Sequence, residues 1–251
     1  MNGLRSQSRL RIAVVVSATA AMLVCEAVAE GPLAAKINIT PLAIYTASHN
    51  LPKPEKILIY DFAVNADDVQ VDKIQAMRPR HLLTGDKSQS AVAAGAGKKY
   101  YAELVKALEK TGIPVEHVAA GTPTPDNAMA VQGSFTSLKE GSKAERDSIG
   151  MGAGGAQVQT KVDVHLKTSS NNILLSQFQT DTSAAKNAGA ALPAAAGLNP
   201  AAAVAKSTIT DRKKTLDAYA SKTADATARE IYKSMAAQGW IKTNDKGEVI
   251  N

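Results

Sequence analysis

The stretch IGMGAGGAQVQ, Ile149 to Gln159, carries the spacing G-x-G-x-x-G at Gly150, Gly152 and Gly155. In a dinucleotide-binding fold such glycines follow a buried strand and open a helix, whose free N–H groups receive the phosphates. Here charged residues precede the glycines, and from Val158 onward valines alternate with polar residues, as in a strand with one solvated face. We therefore predict an extended chain after Gly155, no bound nucleotide, and glycines that serve bulges or close strand packing.

Metal and nucleophile patterns are weak in this sequence. The four histidines are not paired at i, i+4, and none stands in an H-E-x-x-H motif, which favours ordinary surface histidines over a metal site; they are His49, His81, His117 and His165. Ser183 and Lys186 match S-x-x-K, but the partner motifs of penicillin-recognising serine enzymes are missing. The sequence predicts no catalytic set, no metal site and no cofactor.

A few polar positions remain as candidate functional or structural residues. Asp61 stands inside the apolar stretch KILIYDFAV, and a buried carboxylate needs partners. We predict a structural hydrogen bond at a strand end, with a catalytic acid as the alternative. Gly141, Ser142 and Arg146 predict a turn and a surface charge, with anion binding as the alternative. The glycine run adds Gly150, Gly152 and Gly154 to this set.

Hydrophobic periodicity places these residues on strands, helices and turns. The pattern predicts a strand at residues 56–64 that is buried on both faces. It predicts a helix at 90–111 that ends at Gly112, and a second helix at 211–238 that ends at Gly239. Trp240 is expected to fold back onto the core. Further strands are expected at 113–118, 129–136, 157–166 and 173–180, the last two joined by a turn at 169–172. Residues 65–89 are expected to be a loop.

The fold class that follows is α/β in the α+β sense: a mixed, largely antiparallel sheet with two main helices packed on it. We expect a single domain at residues 56–241, interrupted by an alanine-rich excursion at 184–206. An extended segment at residues 30–55 precedes the domain, and a flexible tail at 242–251 follows it.

The first 29 residues have the three parts of a secretory signal peptide. Arginines precede a short apolar run at residues 12–24, and Ala27-Val28-Ala29 provides a cleavage site. The run is shorter than the roughly 20 residues that span a bilayer. We predict a periplasmic protein cleaved after Ala29. The alternative is a lipoprotein anchored through Cys25, the only cysteine, and membrane association is expected only in that case.

Charge and aromatic content argue against nucleic-acid binding. The formal net charge is +6 and aromatic residues make up 4% of the chain. The basic residues are dispersed along the sequence, whereas nucleic-acid-binding surfaces combine clustered basic residues with stacking aromatics. We therefore expect protein partners in the cell envelope, of unknown identity, and an oligomer is possible.

The motifs together resemble the bacterial family known as domain of unknown function 4410. The resemblance rests on the strand Tyr60-Asp61-Phe62, the turn Gly141-Ser142, Arg146 and the glycine run Ile149 to Gly154. It covers residues 56–238 and implies an exported, often lipid-anchored envelope protein with no assigned activity. The order of elements is also similar, at the level of fold, to the periplasmic domain of the curli secretion-channel lipoprotein.

Three hypotheses about function follow. The first is a non-catalytic interaction or assembly component in the periplasm or at the outer membrane. The second is a small-ligand binder or enzyme whose site is assembled from scattered residues such as Asp61, Arg146 and His165. The third is a ring-forming subunit of a secretion complex.

Overall fold

Two helices pack on one face of a mixed sheet in the computed structural model, which describes residues 35–44, 51–70, 89–141, 155–184 and 210–250. The predicted signal peptide with Cys25, the turn residues Ser142 and Arg146, and Gly150, Gly152 and Gly154 lie outside the described residues. So does the alanine-rich excursion beyond Ala184.

The sheet is mixed and mostly antiparallel, as predicted. Its strands are β1 Ala35–Ile44, β2 Lys56–Tyr60, β3 Ala63–Val64, β4 Val69–Gln70, β5 Val115–Val118, β6 Ala128–Lys139, β7 Gln157–Lys167 and β8 Asn172–Ala184. Their order in the sheet is β1-β8-β7-β6-β2-β5, with the two-residue strands β3 and β4 also paired to β6. Strand β2 is parallel to both β5 and β6, whereas β6, β7, β8 and β1 alternate in direction.

The strand predicted at residues 56–64 is shorter than expected: β2 is buried on both faces as predicted but ends at Tyr60, whereas Ala63 and Val64 form the separate strand β3 and are exposed. Ile57 and Ile59 lie in the main core, whereas Leu58 and Tyr60 form a small second cluster with Ala130. Because β5 and β6 flank β2 and run parallel to it, the chain between them must cross β2. The Tyr60 hydroxyl lies 2.5 Å from that of Thr124 in this connection, which accounts for the burial of the second face.

The helices have the predicted positions. Helix α1 spans Gln89–Leu108 and continues as a 3-10 turn to Thr111, where Gly112, with φ of 71°, ends it. Helix α2 spans Thr210–Ala237. Trp240 folds back as predicted, and its Nε1 donates a hydrogen bond to the Leu51 carbonyl at 3.1 Å. Neither described helix has the length and apolar character that crossing a bilayer requires.

Buried hydroxyl groups join α2 to the sheet. Thr223 donates to Thr182 at 2.8 Å, and Ser234 donates to Ser176 at 2.9 Å. Helix α2 therefore packs against strands whose helix-facing side chains are partly hydroxyls. Each of these four hydroxyls has its partner across the interface, so their burial does not leave these groups unsatisfied.

Both terminal segments of the described chain contain paired strands. Within the predicted extended segment at 30–55, residues 35–44 form strand β1, which pairs antiparallel with β8. The predicted flexible tail forms a hairpin of β9, Lys242–Thr243, and β10, Val249–Ile250. Asn244 stabilises this hairpin because its side-chain oxygen accepts hydrogen bonds from the N–H groups of Lys246 and Glu248.

Candidate functional site

A groove opens between α1 and the sheet at the point where β2 and β5 both end. Parallel strands end at the same edge of a sheet, and open α/β sheets bind their ligands at such edges. The groove has a volume of about 600 Å³, within the range of ligand sites. It is lined by Asp61, Phe62, Val64, Ala93, Ala94, Gly97, Lys98, Tyr101, Ala102, Val105, His117 and Phe135.

The floor of the groove is aromatic. Phe62, Tyr100, Tyr101 and Phe135 are in mutual contact, with ring centroids between 5.3 and 6.4 Å apart and tilted or edge-to-face planes. Such arrangements place the positive edge of one ring against the negative face of another. The rings come from β6, α1 and the residue after Asp61, so the cluster holds α1 against the end of β2.

Tyr101 ties the helix to the sheet at the base of the groove. Its hydroxyl accepts a hydrogen bond from the Phe62 backbone N–H at 2.5 Å. Burial raises the pKa of the Tyr101 hydroxyl to about 12, so it stays protonated at neutral pH. The hydroxyl thus satisfies a backbone donor at the break between β2 and β3, where no strand accepts from it.

An acid–base pair lies at the rim. His117 Nε2 is 2.9 Å from Asp61 Oδ1, and the His117 ring stacks on Tyr101 at a centroid distance of 4.2 Å. Since an ionised carboxylate can only accept, the imidazole proton of this bond must be on Nε2. The side chains are 50% exposed for Asp61 and 38% for His117, so solvent reaches the pair.

The position of Asp61 differs from the buried carboxylate that its apolar neighbours suggested. Strand β2 ends at Tyr60, and the Asp61 N–H makes the last bond to β5, donating to the Val118 carbonyl at 3.0 Å. The side chain then turns to solvent and His117. Its hydrogen-bond partner at this strand end is His117, one of the histidines for which the sequence predicts only an ordinary surface position.

The other sequence candidates that the structure describes do not line this groove. His165 is on β7 opposite Ala130 and is not among the groove residues, and its Nδ1 is buried without a hydrogen-bond partner in the described part of the chain. Gly141 follows β6 with φ of 81°, a conformation that favours glycine in a turn. Of the set Asp61, Arg146 and His165, only Asp61 lines the groove among the described residues, and Arg146 lies outside them.

The extended chain predicted after the glycine run is confirmed from Gln157 onward. Strand β7 begins there, and its buried residues are Val158, Thr160, Val162, Val164 and Leu166, at every second position. The backbone amides of β7 belong to ladders with β6 and β8. A phosphate-binding helix N-terminus therefore does not follow Gly155.

Replacing Tyr101 by phenylalanine tests the bond at the base of the groove. The variant leaves the Phe62 N–H buried without an acceptor, and we expect the free energy of unfolding to fall by about 2 kcal/mol at pH 7.

The raised pKa of Tyr101 also predicts how the free energy of unfolding depends on pH. Stability that depends on protonated Tyr101 is present below pH 10 and is lost as pH rises toward 12. Urea unfolding from pH 8 to 12 should therefore show a steeper decline for the wild type than for Tyr101→Phe. Equal slopes would contradict this assignment.

The comparison with known families gives a match over the part of the chain that forms the groove. The model of the domain of unknown function 4410 matches residues 57–188. The chain belongs to this family. The match runs from β2 to the residues just beyond β8, and it includes Asp61, Tyr101 and His117. Membership assigns no activity, because the family is defined as one of unknown function.

Solved structures give a distant similarity. A PelC dodecamer from Paraburkholderia phytofirmans is 10% identical with a TM-score of 0.37, and the alignment covers 81% of this chain and 96% of that one. A second PelC dodecamer structure from the same organism, of a single-substitution variant, has a TM-score of 0.36 at the same identity and coverage. Among proteins of curated function, none matches the chain.

Proposed function

We propose that this protein is an exported, non-catalytic interaction component of the bacterial envelope, and that it binds its partner in the groove between α1 and the sheet. Export is supported by the signal-peptide pattern of residues 1–29. The observation that carries the binding role is the composition of the groove: an aromatic floor with Asp61, His117 and Lys98 at its rim. An apolar hollow with a few polar groups at its edge is typical of a recognition site.

A catalytic role has less support from the same residues. The described residues that line the groove include no serine, threonine or cysteine, so they offer His117 no aliphatic hydroxyl or thiol to activate. Among these described residues Tyr101 has the one hydroxyl, which accepts a hydrogen bond from the Phe62 N–H. Its pKa, raised to about 12 by burial, opposes ionisation near neutral pH. The Asp61–His117 pair is therefore better suited to positioning a polar group of a bound partner.

Site-specific crosslinking tests the binding role. Ala102 lines the groove and is exposed, so p-benzoylphenylalanine placed there points a photoreactive ketone at any occupant. Lys106 is exposed one turn later on α1 and does not line the groove, which makes it the matched control. After irradiation of native cells, we expect a discrete adduct in the envelope fraction from position 102, at least tenfold stronger than from position 106. Equal labelling at both positions, or none at position 102, would contradict a groove partner.

A further inference from the structure

The sheet edge beside the groove is only partly covered by a neighbouring strand in the described part of the chain. Strand β5 ends at Val118, and the two-residue strand β3 pairs with β6 alone in the part of the chain that the structure describes. Beyond the end of β5, therefore, no described strand lies on the other side of β3. The backbone groups on that side of a strand are free to pair with another chain.

The side chains at this edge form one wall of the groove. Phe62 and Val64 are two residues apart, so they lie on the same face of the extended chain, and both line the groove. Val64 is 38% exposed and is one of the large hydrophobic side chains that the described residues leave exposed. The edge thus combines backbone of β3 that pairs with no described strand on this side with an apolar wall.

We propose that the groove and the β3 edge together bind an extended polypeptide segment of the partner, added to the sheet as a strand beside β3. This inference rests on the proposed function and names the kind of partner. Alternate side chains of the segment lie in the groove beneath α1 and are apolar. A basic side chain at one end of the segment lies beside Asp61.

The open backbone edge of β3 favours a polypeptide over a small apolar molecule as the occupant of the groove. Strand addition uses main-chain hydrogen bonds for affinity and pockets for every second side chain for specificity, and both parts are present here. A small apolar ligand would fill the hollow but would leave the edge of β3 unpaired. The aromatic floor suits apolar side chains because it offers no free polar group except at the rim.

The second carboxylate oxygen of Asp61 favours a basic residue at one end of the segment. Asp61 uses Oδ1 for His117, and its Oδ2 has no hydrogen-bond partner among the described residues. The carboxylate is half exposed, so an added ion pair contributes little to affinity, on the order of a fivefold change. The basic residue is therefore a preference of the site, whereas the alternating apolar residues are a requirement.

A random peptide library displayed on phage tests the proposal, with the full-length protein as bait. We expect the enriched peptides to carry apolar residues at alternate positions and a lysine or arginine at one end. Val64→Arg places a charged side chain in the groove wall and should reduce recovery of these peptides at least tenfold. Leu42→Arg is the matched control, because Leu42 is also an exposed hydrophobic residue but lies on β1, and it should leave recovery unchanged. In Asp61→Asn the basic preference should fall about fivefold.

Amide exchange distinguishes strand addition from other ways of filling the groove. With a selected peptide bound, we expect at least tenfold slower exchange at the backbone amides of β3, Ala63 or Val64. Peptides without period-two apolar residues, recovery that is indifferent to Val64→Arg, or unprotected β3 amides would each overturn strand addition. A selection that enriches no peptide would also overturn strand addition. That result is expected if another part of this chain fills the groove. The crosslinking result at position 102 is independent of all these outcomes, so the groove can still bind a partner of another kind.

Discussion

Replacing Gly133 by alanine is expected to lower the free energy of unfolding by about 3 kcal/mol. A Cβ at this position would lie 2.3 Å from the Lys161 carbonyl oxygen and 2.8 Å from Cε2 of Phe62. Lys161 belongs to β7, which pairs with β6 on one side and with β8 on the other. The Lys161 carbonyl therefore cannot move away without disturbing the hydrogen bonds of β7 with both neighbouring strands. The Phe62 ring is equally constrained by Tyr100, Tyr101 and Phe135. Urea unfolding at pH 7 measures the loss directly.

Gly95→Ala is the matched control for this substitution. Gly95 lies within α1, and a Cβ there would meet nothing within 4 Å. Because glycine is a poor helix former, the control should gain between about 0.5 and 1 kcal/mol. A loss below about 1 kcal/mol for Gly133→Ala would mean that β6 and β7 separate easily at this point, and that the contact between Gly133 and Phe62 does not fix the groove floor.

The contrast between these two glycines shows how far the sequence predicts the fold. The strand at residues 129–136 was predicted because its alternation of apolar and polar residues is local, and the structure confirms it as part of β6. The need for glycine at position 133 has another origin. It comes from Lys161 and Phe62, which are distant in the sequence but lie against position 133 in the fold. A local sequence pattern does not predict such a contact.

The same distinction applies to the candidate site. Asp61 was singled out because it interrupts an apolar strand, and His117 was placed correctly in a short strand. Their contact depends on the parallel register of β2 and β5, in which Tyr60 pairs with Val118. A strand–helix–strand order predicts parallel strands with neighbouring ends, so that order was the available signal for placing residues 61 and 117 together. The register itself is set by core packing between strands and lies beyond sequence periodicity.

Segments without strong periodicity were predicted least well. Val69 and Gln70 lie in the predicted loop but form β4, because β6 extends far enough to pair with them. The hairpin at residues 242–250 depends on side-chain bonds of Asn244 and on Gly247, which has φ of 72°. Asparagine and glycine in a polar stretch are compatible with either a turn or a frayed end, and the hydrogen bonds decide between them.

Phe135→Ala is expected to cost about 4 kcal/mol in the free energy of unfolding, the largest effect among these substitutions. Phe135 is fully buried on β6 and contacts Phe62, Tyr100 and Tyr101. Truncation removes the contacts of one ring with three others and leaves a cavity at the groove floor. Since each neighbouring ring is held by further contacts or hydrogen bonds, the cavity cannot close completely. Chemical denaturation compared with the wild type measures this cost.

Phe135→Leu separates the loss of buried volume from the loss of the aromatic ring. Leucine retains most of the buried apolar surface, so we expect a cost below about 2 kcal/mol. If both variants lower the free energy of unfolding by the same amount, the ring contacts of Phe135 stabilise the groove floor and the filled volume does not. A cost below about 2 kcal/mol for Phe135→Ala would instead show that the rings relax into the space. In that case the groove is deformable, and its shape in the free protein would not determine which segment it binds.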